Sequence, residues 1–126
     1  MNWLWVALGG MLGSDSRYGV TLLFSGLSTK PLLPYATIIV NISGCFAIGF
    51  LAAISHMKEG GLRPELRLFL MVGFLGGFTT YSSFGLEVFE LIRNSHPLAA
   101  FLDVFSQLFF GLLAVGGGFF FAQLFI

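Results

Sequence analysis

The sequence predicts an all-α membrane protein, a single domain over residues 1–126 with four transmembrane helices, the third broken near its middle. Three observations carry this. Of 126 residues 56% are hydrophobic and 10% charged, against about 25% charged in water-soluble chains, so polar cover for a soluble surface is lacking. Charge and proline gather between four apolar segments, each close to the length of about 20 residues that a bilayer crossing needs. The third segment, finally, carries two adjacent glycines followed by a run of hydroxyl residues, which is poor helix material.

Helix 1 is expected from about Trp3 to Ser25. A secretory signal is excluded there, because the segment has no basic start or A-x-A site and contains Asp15 and Arg17. The first loop holds Ser28, Thr29, Lys30, Pro31 and Pro34, and helix 2 follows from Tyr35 to His56. Helix 3 runs from Glu65 to Ile92 after a loop containing Lys58, Gly60 and Arg63. Pro64 and Glu65 mark its start, a proline where the amide has no helical partner and an acid at the positive dipole end. Ser95 precedes Pro97 as a candidate N-cap for helix 4, expected from Pro97 to Ile126.

Orientation follows the Lys and Arg of the loops. Lys58, Arg63 and Arg67 lie on the side of the termini, Lys30 and Arg93 on the other, with Arg17 inside helix 1. So small a bias allows insertion in both directions, and hence an antiparallel homodimer. Four close-packed helices leave no wet path between them, so a conduit for a polar solute is more easily built where two copies meet. Gly9 and Gly13, like Gly73 and Gly77, have the spacing that lets helices approach closely, within one subunit or between two. Balanced formal charge and six Lys plus Arg exclude a nucleic-acid footprint. The single cysteine, Cys45, is a packing residue rather than part of a disulfide or metal set. No nucleophile, base and orienting group come together, and His56 and His96 fall at helix ends, so an enzyme is not expected.

Polar side chains at bilayer depth are expensive and therefore informative. Helix 1 places Asp15 and Arg17 two residues apart, where each can offset the other or Arg17 can reach toward the polar boundary. Helix 2 has Asn41 with Ser43 beside it. The pair matches a glycosylation sequon, which is discarded inside a membrane; Asn41 is either a helix clamp or a pore donor. In helix 3 a break would leave carbonyls on its first half, suited to a cation, and amides on its second, suited to an anion. Ser82 and Ser83 add hydroxyls, and Phe78, Tyr81 and Phe84 recur every three residues, so that positive ring edges can face an anion.

These residues resemble the fluoride-channel family known as Fluc or CrcB over the whole chain. The carrying elements are Gly-x-x-x-Arg-Tyr at Gly13 to Tyr18, Val40-Asn41 with Gly44 following, and Gly-Gly-Phe-Thr-Thr-Tyr-Ser-Ser-Phe at Gly76 to Phe84, the last being the specific one. The resemblance implies a dual-topology, antiparallel homodimer in the bacterial inner membrane, with two fluoride pores and a sodium ion at the centre of the interface. By position it implies that Asn41 donates to the ion, that Tyr81 and Phe84 present ring edges, and that Ser82 and Ser83 form a hydroxyl track. It further implies backbone carbonyls of Gly76 and Thr79 as sodium ligands, and Arg17 as the family's helix 1 arginine. Gln107 is the matching polar residue of helix 4, although Gly111 stands where some members have Ser. Tyr81 replaces the usual Phe, and Asp15 is foreign to the motif. Glu87, one turn after Phe84, either lines the pathway or reaches the far interface.

The function implied is passive, fluoride-selective export. The alternative is a proton-coupled exporter similar to the small multidrug-resistance proteins, with Asp15 as its membrane carboxylate. Arg17 nearby would keep that acid ionised and spoil proton exchange. A non-transporting assembly factor explains the glycines but not the break.

Overall fold

Among the described residues every regular element is helical. The computed structural model describes residues 1–26, 31–57 and 59–126, so the loop residues Ser28, Thr29, Lys30 and Lys58 lie outside the described residues. Helix α1 spans Asn2–Ser25 and α2 spans Tyr35–Ser55. The third unit is composite: α3 (Pro64–Arg67), a π-helical stretch (Leu68–Phe74), α4 (Leu75–Phe78) and α5 (Tyr81–Arg93). Helix α6 spans Pro97–Gln123, three residues short of the expected end.

The end signals act as expected at one start and differently at another. Pro64 opens α3 with Glu65 in its first turn. Ser95 does not cap α6: His96 holds the N-cap position, and Ser95 has a φ of 61°, turning the chain between α5 and α6. Among the described residues three units are long and apolar enough to cross a membrane, Tyr35–Ser55, Pro64–Arg93 and Pro97–Gln123. With 24 residues α1 has the length, but Ser14, Asp15, Ser16 and Arg17 dilute its apolar character.

Helix α2 runs along α6, α1 runs along the π-helical stretch and α4, and α5 leans on α6. Small residues make the first two contacts possible. A Cβ at Gly9 would strike the carbonyl of Phe69, one at Gly13 the carbonyl of Phe74, and one at Gly73 the carbonyl of Val6. The two glycine pairs therefore face each other within one subunit. Gly49 and Gly118 do the same between α2 and α6, against the carbonyls of Val115 and Phe46. Most of the buried apolar residues are correspondingly small, Val40, Ala53, Ala99, Ala100 and Ala122 beside Leu75 and Leu91, while large ones such as Leu112 and Phe120 face outward. This is the distribution expected when the solvent is hydrocarbon and helices associate by close fit.

The π-helical stretch was not foreshadowed by the sequence pattern. Its i→i+5 bonding widens the helix and shifts the register of the residues that follow, and it lies where α1 approaches most closely.

Replacing Gly13 by Val should lower stability by about 1–3 kcal/mol through overpacking against backbone that cannot yield. Gly117→Ala, where a new Cβ meets nothing within 4 Å, should be neutral. Thermal unfolding of both variants in detergent checks the contrast.

Candidate functional site

Two residues interrupt the third unit. Thr79 (φ −83°, ψ 156°) and Thr80 (φ −148°, ψ 122°) are extended, whereas Gly76 and Gly77, the first residues of the break expected from Gly76 to Thr79, remain helical in α4. The hydroxyls rather than the glycines explain the site of interruption. Thr79 Oγ1 donates to the Leu75 carbonyl at 2.9 Å as α4 ends, and Thr80 Oγ1 accepts from Ser83 N at 3.2 Å as α5 begins. Both are local side-chain bonds that compete with a continuous helix.

The freed backbone is taken up by side chains from two other helices. Asn41 of α2 pairs with Thr80 in both senses: Thr80 N donates to Asn41 Oδ1 at 2.8 Å, and Asn41 Nδ2 donates to Thr80 O at 3.1 Å. Arg17 of α1 donates from Nε to the Gly77 carbonyl at 3.0 Å, a cation at the negative end of α4. The expected mutual offset of Asp15 and Arg17 is not found: Asp15 is exposed, and among the described residues no ion pair joins them.

Asn41 also connects to α6. Its Nδ2 donates to Gln107 Oε1 at 2.6 Å, and Gln107 Nε2 donates to Asp103 Oδ1 at 2.7 Å. Asp103 is wholly buried. On the other side of the interruption Thr37 Oγ1 donates to Glu87 Oε1 at 2.6 Å. Among the described residues Glu87 Oε2 and Asp103 Oδ2 are buried without a hydrogen-bond partner.

Two cavities meet at Thr80. The smaller, about 380 Å³, brings together Asn41, Gln107, Tyr81, Phe84, Gly76 and Thr79. The larger, about 640 Å³, is bordered by Arg17, Thr37, Ser83 and Glu87. Most of the residues singled out in the sequence thus fall on two adjoining surfaces. Ser82 borders neither; it is exposed, with its hydroxyl 3.5 Å from Thr80 Oγ1. The expected stripe of three rings divides. Tyr81 and Phe84 pair at 5.8 Å between centroids, tilted by 53°, but Phe78 stacks on Phe74 at 5.7 Å.

Thr37, Thr80 and Asp103 were missed as site residues. Asp103 had a readable signal: an acid four residues before Gln107 in an otherwise apolar helix, the spacing that brings two side chains into contact. Thr37 had the same relation to Asn41. Thr80 had none, since it takes part chiefly through its backbone.

Helices that turn large apolar residues outward, around a crevice that amide, hydroxyl and ring groups border, define a small multi-span membrane protein. The chain belongs to the CrcB-like protein family (Camphor Resistance, CrcB), whose sequence model matches residues 4–119. It is 41% identical over 121 residues to the "Fluoride-specific ion channel FluC" of Chlorobium phaeobacteroides, covering 96% of this chain and 92% of that one. The Thermus thermophilus protein of the same name is 46% identical over 111 residues, covering 88% and 86% of the two chains. That of Helicobacter pylori is 39% identical over 124 residues, covering 98% and 94%.

Because Asn41 reads only the backbone of Thr80, Thr80→Ala should spare that pair while removing the α5 cap and the hydroxyl contacts with Ser82 and Ser83, and cost about 1 kcal/mol. Thr80→Ser should restore it. Denaturant unfolding in detergent, followed by circular dichroism, measures the difference.

Proposed function

We propose that this chain is a fluoride-selective ion channel, a passive conduit that lets fluoride leave the cell, and not an enzyme. The observation that carries the reading is Asn41: a carboxamide fixed to the backbone by two bonds, on the wall of a cavity that the Tyr81 and Phe84 rings also line. Membership of a family whose relatives are named fluoride-specific channels agrees with it. Fluoride holds its hydration shell tightly, so a pore must offer equivalent donors at successive sites yet release the ion. An amide N–H, hydroxyls and the positive edges of aromatic rings supply donors without fixed charge. Neither Lys nor Arg borders the smaller cavity among the described residues, which favours release. Arg17 and Ser83 on the larger cavity form the approach, and Ser82 extends the hydroxyl track toward the surface.

The functional unit is an antiparallel, dual-topology homodimer in the bacterial inner membrane, with α1 as the fourth span of each single-domain subunit. Near-balanced loop charges support it. So does Tyr81, a hydroxyl-bearing ring 85% exposed on the isolated subunit and better covered by a second copy. Gly76 and Thr79 border one cavity, and the extended Thr79 directs its carbonyl away from the helical ladder. Among the described residues no three His, Cys, Asp or Glu gather. Backbone oxygens at the interface are therefore the fitting donors for a sodium ion, which when bound would neutralise converging carbonyl dipoles.

The proton-coupled alternative is set aside. Asp15 is exposed while Arg17 is engaged at Gly77, and the family membership is that of CrcB.

Purified protein in fluoride-loaded liposomes should release fluoride under a potassium shunt, retain chloride, and need no proton gradient, as followed with an ion-selective electrode. Asn41→Asp should abolish that flux, Phe84→Ile should impair it by at least tenfold (about 1.4 kcal/mol), and Tyr81→Phe should leave it intact. Flux undiminished in Asn41→Asp would assign Asn41 to helix clamping alone.

Prolonged sodium depletion should silence reconstituted protein, and returning sodium should restore it. Thr79→Ala should respond as the wild type does, because the proposed ligands are backbone atoms. Flux indifferent to sodium would remove the central ion while leaving the anion path.

A further inference from the structure

The amide of Asn41 has two N–H groups, and both are occupied. One donates to Thr80 O at 3.1 Å and the other to Gln107 Oε1 at 2.6 Å. The first bond belongs to a reciprocal pair that also holds Asn41 Oδ1, so it cannot be released without orphaning the backbone of the interruption. The second joins two side chains and is the one that can be given up. Gln107 Oε1 therefore stands where an anion accepting from Asn41 would stand.

Gln107 does not reach that position unaided. Its Nε2 donates to Asp103 Oδ1 at 2.7 Å, one turn earlier on α6, and Asp103 is fully enclosed. An amide held at both ends has one orientation: nitrogen toward Asp103, oxygen toward Asn41. We propose that Gln107 is a displaceable internal acceptor that occupies the anion's place at Asn41, and that Asp103 is the positioning residue that holds it there. The inference rests on the reading of Asn41 as a fluoride donor and adds to it a competitor within the chain. Fluoride binding then becomes an exchange in which the ion takes the Asn41 donor and Gln107 withdraws. The exchange weakens apparent affinity and so helps the ion to leave.

Only one Asp103 oxygen is used, since Oδ2 has no partner among the described residues. An asparagine there keeps the necessary acceptor, and Gln107, whose oxygen is claimed by Asn41, still needs one for its nitrogen. Asp103→Asn should therefore preserve the arrangement, whereas Asp103→Ala should release it.

The test is the concentration dependence of fluoride current across planar bilayers. Gln107→Ala should lower the half-saturating fluoride concentration by about threefold to tenfold, the worth of one competing hydrogen bond. Asp103→Ala should shift it in the same direction, Asp103→Asn should match the wild type, and the double variant should go no further than Gln107→Ala. An unchanged or raised half-saturation in Gln107→Ala would overturn the proposal. So would a shift in Asp103→Asn equal to that in Asp103→Ala, which would mean that charge acts rather than the bond to Gln107. Should Asp103→Ala not assemble, the side-chain amide resonances of Gln107 in ¹⁵N-labelled wild-type protein decide: they should move as fluoride is added, and immobility would overturn the displacement. Asn41→Asp serves as the control for the underlying reading, because flux retained in it refutes the donor role whatever Gln107 does.

Discussion

A chain that leaves helical geometry inside hydrocarbon must find partners for the backbone it frees, and here that requirement is met above all by Asn41, with Arg17 beside it at Gly77. The two bonds between Asn41 and the backbone of Thr80 join α2 to the interruption between α4 and α5. The rest of the site is arranged around them. Thr80, so held, caps α5, from whose first turn Tyr81 and Phe84 project together. The same amide reaches α6 through Gln107. Three helical units are thus joined at one polar point, and the two cavities meet there as well.

The surroundings of that point show why it can persist. An amide–backbone pair in a low-dielectric setting is strong, and the penalty for leaving either partner unpaired is larger still. Arg17 plays a parallel part at Gly77, so that both sides of the interruption are held by side chains from other helices. On the flanks of the crevice one carboxyl oxygen each of Glu87 and Asp103 is buried without a partner among the described residues.

Much of this was legible in the amino-acid sequence, and what was not has identifiable physical reasons. Apolar length and loop chemistry delimit four helical units, and polar residues at depth single out Asn41 and Arg17 because hydrocarbon tolerates few of them, whereas Gln107 was reached only through the family resemblance. Helix pairing was also readable from glycine spacing, although not that Gly9 and Gly13 would meet Gly73 and Gly77 of the same subunit. The π-helical stretch was hidden because Leu68–Phe74 reads as an ordinary apolar helix segment. Phe78 was grouped with Tyr81 and Phe84 by counting threes along a continuous helix, and the extended Thr79 and Thr80 break that count. Asp103 was overlooked as one acid in a long apolar run, and its significance appears only once Gln107 is seen to lean on it.

The glycine seams also bear on time. Where the backbones of α1 and the third unit, and of α2 and α6, touch with no side chain between them, sliding one helix past another requires several carbonyls to climb over neighbouring backbone at once. Collective helix displacements belong to the microsecond-to-millisecond range, whereas side chains at an open crevice rotate in picoseconds to nanoseconds. A scaffold locked by such seams leaves the fast motions to the carboxamides and rings at the crevice. On the short timescale the groups free to turn there are side chains such as Gln107 and the rings of Tyr81 and Phe84, whereas any rearrangement of the helices themselves belongs to the slower range.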